Sequence, residues 1–365
     1  MSRRGPLLVA IAGSLLASAC SMAPRYVRPA APVPPSWPVG DAYLRRTEAA
    51  LPAVSYREIF TDPKLLAIID RALANNQDLR VALANVAAAR ANYRIQRAQL
   101  FPQVDVGGTV TRGQRSTANA GNSFAGGGFT SYAADFGLNA FEIDLFGRLR
   151  SLRDAQLQEF LGTEAAVRAT RLTLVGELAN AYLTLATDRS LLNIATDTQA
   201  SAQRSVTLTR ARLSGGVAPR SDLRQAETVL AQAQSDHANQ TTLVAQDRNA
   251  IELLVGAPVE DALLPTAIEA VDKQLNELPA GLDSRILLRR PDVVQAEYSL
   301  RAANARIGSA RAAFFPTISL TGAAGLASGA LGSLFTGDAF TWSVTPGISL
   351  PIFDGGTRRG NLALS

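Results

Sequence analysis

The sequence predicts an α+β membrane protein in which long coiled-coil hairpins of α-helix carry four transmembrane β-strands per chain. Three observations lead there. Heptad-spaced apolar residues flank the turn SGGVAP, and four segments of strand length alternate apolar with polar residues. Two stretches, AQLFPQVDV at 98–106 and AAFFPTISL at 312–320, each run an Ala-rich helical pattern into an aromatic, a proline and an alternating strand.

The composition supports the helical part. Hydrophobic residues make up 47% of the 365 residues and aromatics 6%, so the apolar content is mostly small and aliphatic. The formal charge of +5 is spread along helices between Asp and Glu, and Arg3 and Arg4 fall in a segment expected to be removed. Without a basic cluster, nucleic acid is not an expected partner.

Residues 1–19 read as a signal peptide: two arginines, the apolar run LLVAIAGSLLASA, then Cys20. That run is too short to span a bilayer comfortably. Cys20 is the chain's one cysteine, so no intrachain disulfide forms, and its place at the cleavage boundary points to a lipid-modified N-terminus. Ala17 stands where the lipobox usually has Leu. Ser21 follows the cysteine rather than Asp, which by bacterial sorting rules points to the outer membrane.

Residues 20–61 are expected as a lipid-anchored, Pro-rich arm. From Asp62 the period becomes helical, with Asp62 and Asp78 as candidate N-caps for two helices ending near Leu100. A β-hairpin over 101–146 follows, with Val104, Val106, Gly108 and Val110 opposite Asp105, Thr109 and Thr111. Its second strand sets Tyr132, Ala134, Phe136, Leu138 and Ala140 against Ala133, Asp135, Gly137 and Asn139. A long helical hairpin over 148–256 comes next. Its seam runs through Val175, Leu178, Tyr182, Leu185 and Leu192, and returns through Leu223, Ala226, Leu230, Ala233, His237, Gln240, Val244, Asp247, Ile251 and Leu254. Gly215 and Gly216 are expected to relieve strain at its tip. His237, the only histidine, reads as a polar seam residue, and neither a metal nor a cofactor is expected.

Placing Pro102 on Pro316 also superposes Asp78 on Asp292, Arg97 on Arg311 and Phe101 on Phe315. The unit is therefore written twice. The first repeat covers 62–256, a linker 257–283, and a second repeat 284–365, with a helix over 291–313 and a β-hairpin over 315–353 in which Pro346 marks a bulge or the rim. The strands have the length that crosses a bilayer when tilted, with one face for lipid and one for water. Four strands cannot close a barrel, so several chains must contribute.

CSMAPRYVRP, AARANYRIQRAQLFPQVDV, FEIDLFGRLR, RARLSGGVAPRSDLRQAE, RRPDVVQAE and SLPIFDGGTRRG, in that order, resemble the TolC-like outer-membrane efflux factors, in their lipoprotein (NodT-type) branch. The resemblance implies a homotrimer with a twelve-stranded barrel in outer-membrane lipid and a periplasmic helical tunnel. It implies a passive exit duct, driven by an inner-membrane pump of the resistance-nodulation-division type through a periplasmic adaptor (membrane fusion) protein. It places Gly216, Val217 and Ala218 at the adaptor contact and Asp222 at the tip or gate. Asp222 also reads as an N-cap on the returning helix. Asp105, Thr109, Asp135, Asn139, Thr317, Ser319, Ser343 and Thr345 are expected to face the lumen.

No nucleophile and base are poised for hydrolysis, so an enzyme is not expected. The alternatives are a structural envelope lipoprotein or coiled-coil surface protein without channel activity, and an exit duct for type I protein secretion. The second repeat has a strand pair but no counterpart of the first repeat's long hairpin. A truncated copy lacking roughly 100 C-terminal residues is the expectation.

Overall fold

The computed structural model describes residues 22–29, 55–114, 128–271 and 284–365. The signal segment with Cys20, most of the Pro-rich arm, the loop between the first two strands and the end of the linker lie outside the described residues. The elements are α1 (Tyr56–Ile59), α2 (Pro63–Asn75), α3 (Gln77–Ala98), β1 (Val104–Gln114), β2 (Gly128–Ile143), α4 (Arg148–Ser214), α5 (Arg220–Val255), α6 (Pro291–Ala312), β3 (Thr317–Ser328), β4 (Phe340–Ser349) and α7 (Thr357–Leu364). Among the described residues no helix is long and apolar enough to cross a membrane.

Two compact units result, and they do not follow the two repeats. The first takes residues 1–29, 87–162 and 296–365, the second 30–86 and 163–295. The cause is strand pairing. β2 of the first repeat pairs with β3 of the second, so neither repeat closes on itself.

The first unit holds one antiparallel sheet in the order β1-β2-β3-β4. Each hairpin joins neighbours, and the central β2–β3 pairing aligns Phe136 with Ala324 and Ile143 with Ile318. β1 and β4 are edges among the described residues.

The core of the second unit lies where α2 meets α4 and α5. Leu65, Ile68, Ile69 and Ala72 of α2 pack against Leu178, Tyr182 and Leu185 of α4 and Ile251 and Val255 of α5. The amphipathic spacing of α2 puts these four on one stripe, which is what an amphipathic helix must bury. Asp62 caps α2, accepting from the Lys64 amide at 2.8 Å. The next cap is not Asp78. Asn76 ends α2 and opens α3: its Oδ1 accepts from the Leu79 amide at 2.8 Å, while its Nδ2 donates to the Leu254 carbonyl at 2.8 Å. Asp78 sits inside the first turn of α3, too late to cap it.

Both long helices turn their seams inward. Leu223, Ala226, Leu230, Ala233, His237, Gln240 and Val244 are each less exposed than the residues on the outer face of α5. Arg210 pairs with Glu227 across the hairpin at 3.3 Å, and Gln240 Nε2 donates to the Asp188 carbonyl at 3.2 Å, which fixes an antiparallel register. Linker residues 257–271 are packed: Val259, Leu264 and Val271 are buried in the same core, and Arg189 donates to the Pro265 carbonyl at 2.6 Å.

One seam position is electrostatically costly. Asp247 of α5 faces Asp188 of α4, and its Oδ2 is buried without a donor. Burial, then the neighbouring carboxyl, pushes Asp247 up to about 6. The neighbouring cation, Arg248, is turned to Glu252 and Asp261 instead. Because the folded value lies above the unfolded one, this group's contribution is fully present below about pH 4 and is lost as pH rises through about 6. Asp247→Asn is therefore expected to raise stability at pH 7.5 by about 1 kcal/mol, since solvent screens a partly exposed pair, and to flatten the pH 4–7 stability profile. Urea titrations at several pH values check this, and an unchanged profile would remove the pair from the account.

Candidate functional site: the two-faced sheet and the hairpin tip

The register sorts the strands into two faces. Asp105, Thr109, Asp135, Asn139, Thr317, Ser319, Ser343 and Thr345 all fall on one face, by direct pairing or by alternation. Asn139 Nδ2 donates to Asp105 Oδ2 at 2.9 Å on that face. The opposite face carries Val104, Val106, Val110, Phe136, Leu326, Trp342, Val344 and Ile348. Trp342 is 71% and Ile348 74% exposed, an apolar surface that water does not favour.

Strict alternation fails at one place. Pairing steps from Leu138↔Gly322 to Phe141↔Leu320, so Asn139 and Ala140 together oppose Thr321. Ala140 takes the positive φ of 39° that this bulge needs, and so leaves the apolar face on which simple alternation puts it. The extra residue returns Phe141 and Ile143 to the apolar face and sends Glu142 to the other. Pro346, by contrast, makes no bulge. Pairing runs unbroken through Pro346↔Leu320 to Thr317↔Ser349.

Where β2 becomes α4, charge and stacking fix the bend. Arg148 Nε donates to Glu142 Oε1 at 2.8 Å, and a second bond joins the same two groups. Arg150 binds Asp144 through both its amide, at 2.9 Å, and its side chain. The Phe146 ring stacks on Phe315 with centroids 4.8 Å apart, joining the end of β2 to the start of β3. These junction residues carry no role in the sequence reading. Their signal is the acid-to-base spacing of six residues in FEIDLFGRLR, too long for one helix face and right for a chain that turns.

The tip lies in the second unit. The Val217 amide reaches the Arg212 carbonyl and the Gly216 amide the Leu213 carbonyl, each at 3.0 Å, a Schellman closure of α4. Gly216 alone takes the left-handed conformation, at φ 73°, so the strain is relieved there and not at Gly215. Val217 is left 69% exposed. Ala218 is half-buried beside it. The N-cap of α5 is Pro219, so Asp222 is not the cap; it lies in the first turn, where its charge suits the helix dipole. Asp222 also lines a groove of about 340 Å³ between α4 and α5, with Ala202, Ser205, Thr209 and Ala226. Cys20 lies outside the described residues. His237 stays on the seam, where its carbonyl accepts from Thr241.

An open, two-faced meander in one unit and a coiled-coil hairpin in the other define a class: one subunit of a channel built from strands and helices. The model of a family described as outer membrane efflux protein matches residues 68–257 and 282–365. TtgC of Pseudomonas putida, named a probable efflux pump outer membrane protein, is 44% identical over 349 residues, 95% of this chain and 72% of that relative. Outer membrane protein OprJ of Pseudomonas aeruginosa is 40% identical over 352 residues, 96% of this chain and 73% of that relative. The solved structure of the open state of the MtrE outer membrane channel from Neisseria gonorrhoeae aligns with a TM-score of 0.74 at 35% identity, covering 94% of this chain and 75% of that one. The chain belongs to the outer membrane efflux protein family, as an outer-membrane channel component of an efflux system.

Proposed function

We propose that the chain is one protomer of a homotrimeric, passive exit duct for drugs or other small molecules. The carrying observation is the open four-stranded sheet with one polar and one apolar face. Its unpaired edges are untenable in lipid, and three copies close twelve strands with the polar face inward. In that arrangement Asp105, Thr109, Asp135, Asn139, Thr317, Ser319, Ser343 and Thr345 line a wet lumen. Cys20, acylated, anchors the chain in the outer membrane. Energy comes from an inner-membrane pump, reached through a periplasmic adaptor that docks at Gly216, Val217 and Ala218, with Asp222 helping to hold the closed tip. The exposure of Val217 at a glycine-closed turn supports an apolar partner contact there.

Heat-resistant trimers on unboiled gels together with single-channel conductance in planar bilayers are the expected result. Trimers that never conduct would favour a structural lipoprotein instead. Photocrosslinking from position 217 in cells is expected to capture the adaptor, and a probe there that captures only outer-membrane lipid or other copies of the chain would overturn the adaptor assignment.

A further inference from the structure

Residues 22–29 do not trail away from the fold. In the first unit they run along one face of α6 in strict order. Arg28 pairs with Glu297, the Tyr26 ring lies under Arg301 at 5.2 Å, the Pro24 carbonyl accepts from Asn304 at 2.8 Å, Ala23 meets Gly308, and the Met22 carbonyl accepts from Arg311 at 3.4 Å. Positions 297, 301, 304, 308 and 311 fall at steps of four and three, which is one stripe of a helix. The lengths agree. From Met22 to Arg28 extended chain covers about 20 Å at ~3.3 Å per residue. From Glu297 to Arg311 a helix rises about 21 Å at 1.5 Å per residue.

Gly308 is the part of this stripe that helix formation does not explain, since glycine inside a helix is about 1 kcal/mol less favourable than alanine. A Cβ there would stand 2.7 Å from the Ala23 nitrogen and 2.8 Å from its Cα. The repeat sharpens the point. Superposing Pro102 on Pro316 puts Arg94 where Gly308 stands and Arg90 where Asn304 stands, and Arg90 of α3 lies over the Phe160 ring at 5.2 Å. Only the second copy of this helix has the notch. Glu297 is built in as well: burial would raise its carboxyl, but bonds from Arg28 and Arg301 outweigh that and hold it below the usual range.

We propose that this stripe of α6 is a peptide-binding strip whose occupant is the chain's own segment 22–29, a strap that fixes the N-terminal anchor at the helix end leading into β3. The strap's link to the membrane rests on the reading of Cys20 as acylated. Two peptide units beyond Met22 reach about 7 Å whatever their conformation. The strap ends at Met22 beside Arg311, in the last turn of α6, so it orients the anchoring end of the chain as well as tethering it.

The experiment is limited trypsin digestion of the full chain in detergent, followed at the Arg25–Tyr26 bond. Gly308→Leu and Glu297→Arg are each expected to speed that cleavage about tenfold, because cleavage follows the undocked population. Adding Arg28→Glu to Glu297→Arg is expected to restore most of the protection by re-forming the pair with reversed charges. Unchanged helix content by far-UV circular dichroism separates undocking from misfolding of α6. Cleavage at the wild-type rate in both single variants, or a double variant as sensitive as Glu297→Arg alone, would overturn the strap. Conductance is a separate readout: its absence from wild-type protein would sink the duct and leave the strap standing.

Discussion

Tyr182→Ala is expected to destabilise the helical unit by roughly 3–5 kcal/mol, the cost of removing a large aromatic side chain from a packed core. Tyr182 is 1% exposed, on the α4 seam between Leu178 and Leu185, and packs in the cluster that α2 and α5 complete. Its hydroxyl donates to Asp62 Oδ2 at 2.8 Å, while Asp62 Oδ1 accepts the Lys64 amide and caps α2. One tyrosine thus fills the core and holds the carboxylate that starts the neighbouring helix. Burial, then this bond and charge, also pushes the Tyr182 hydroxyl well above its ordinary value, so it remains a donor throughout the usual pH range. Tyr182→Phe separates the two roles. It keeps the ring and leaves Asp62, itself 4% exposed, short of a donor, for an expected loss of about 1–3 kcal/mol. Urea unfolding of the purified chain, followed by far-UV circular dichroism, checks both. Equal midpoints for the alanine and phenylalanine variants would mean that the ring contributes nothing, and the packing account would fail.

That contact also shows where the sequence stops being readable. The heptad seam puts Tyr182 on the inner face of α4 and the capping rule puts Asp62 at the start of α2, yet 120 residues separate them and no local pattern joins them. Asn76 displaces Asp78 as a cap for a related reason. Its amide serves a carbonyl of α5 while its oxygen caps α3, a choice made by tertiary contact. The alternating strands were legible because a half-buried or lipid-facing sheet imposes period two on every residue. The bulge at Asn139 and Ala140 was hidden in the same pattern, although the shift of apolar parity from Leu138 to Phe141 records it. The strap was the least legible. A Pro-rich segment has no period to read, and its one trace lies far away in the chain as a glycine inside a good helix. The tip could be placed closely, since Gly216 has to close α4 whatever binds there.

The face assignment makes the sharpest demand, because two neighbouring alanines of β3 should respond in opposite ways. Ala324 pairs with Phe136 and Trp342 on the apolar face, whereas Ala323 pairs with Gly137 and Ser343 on the polar one. Both lie near the middle of the strand, at similar depth in any bilayer the sheet crosses. Arginine on a lipid-facing site at mid-depth costs about 2–4 kcal/mol, and the proposed trimer would carry that cost three times. Ala324→Arg is therefore expected to abolish the heat-resistant membrane form, leaving protein that urea extracts. Ala323→Arg puts the same charge toward water beside small neighbours, so insertion should survive and the change should appear as altered ion selectivity. Composition, helix content and strand propensity hardly differ between the two variants, which leaves orientation as the variable. If both insert equally well the apolar face does not meet lipid, and if both fail the polar face does not enclose water.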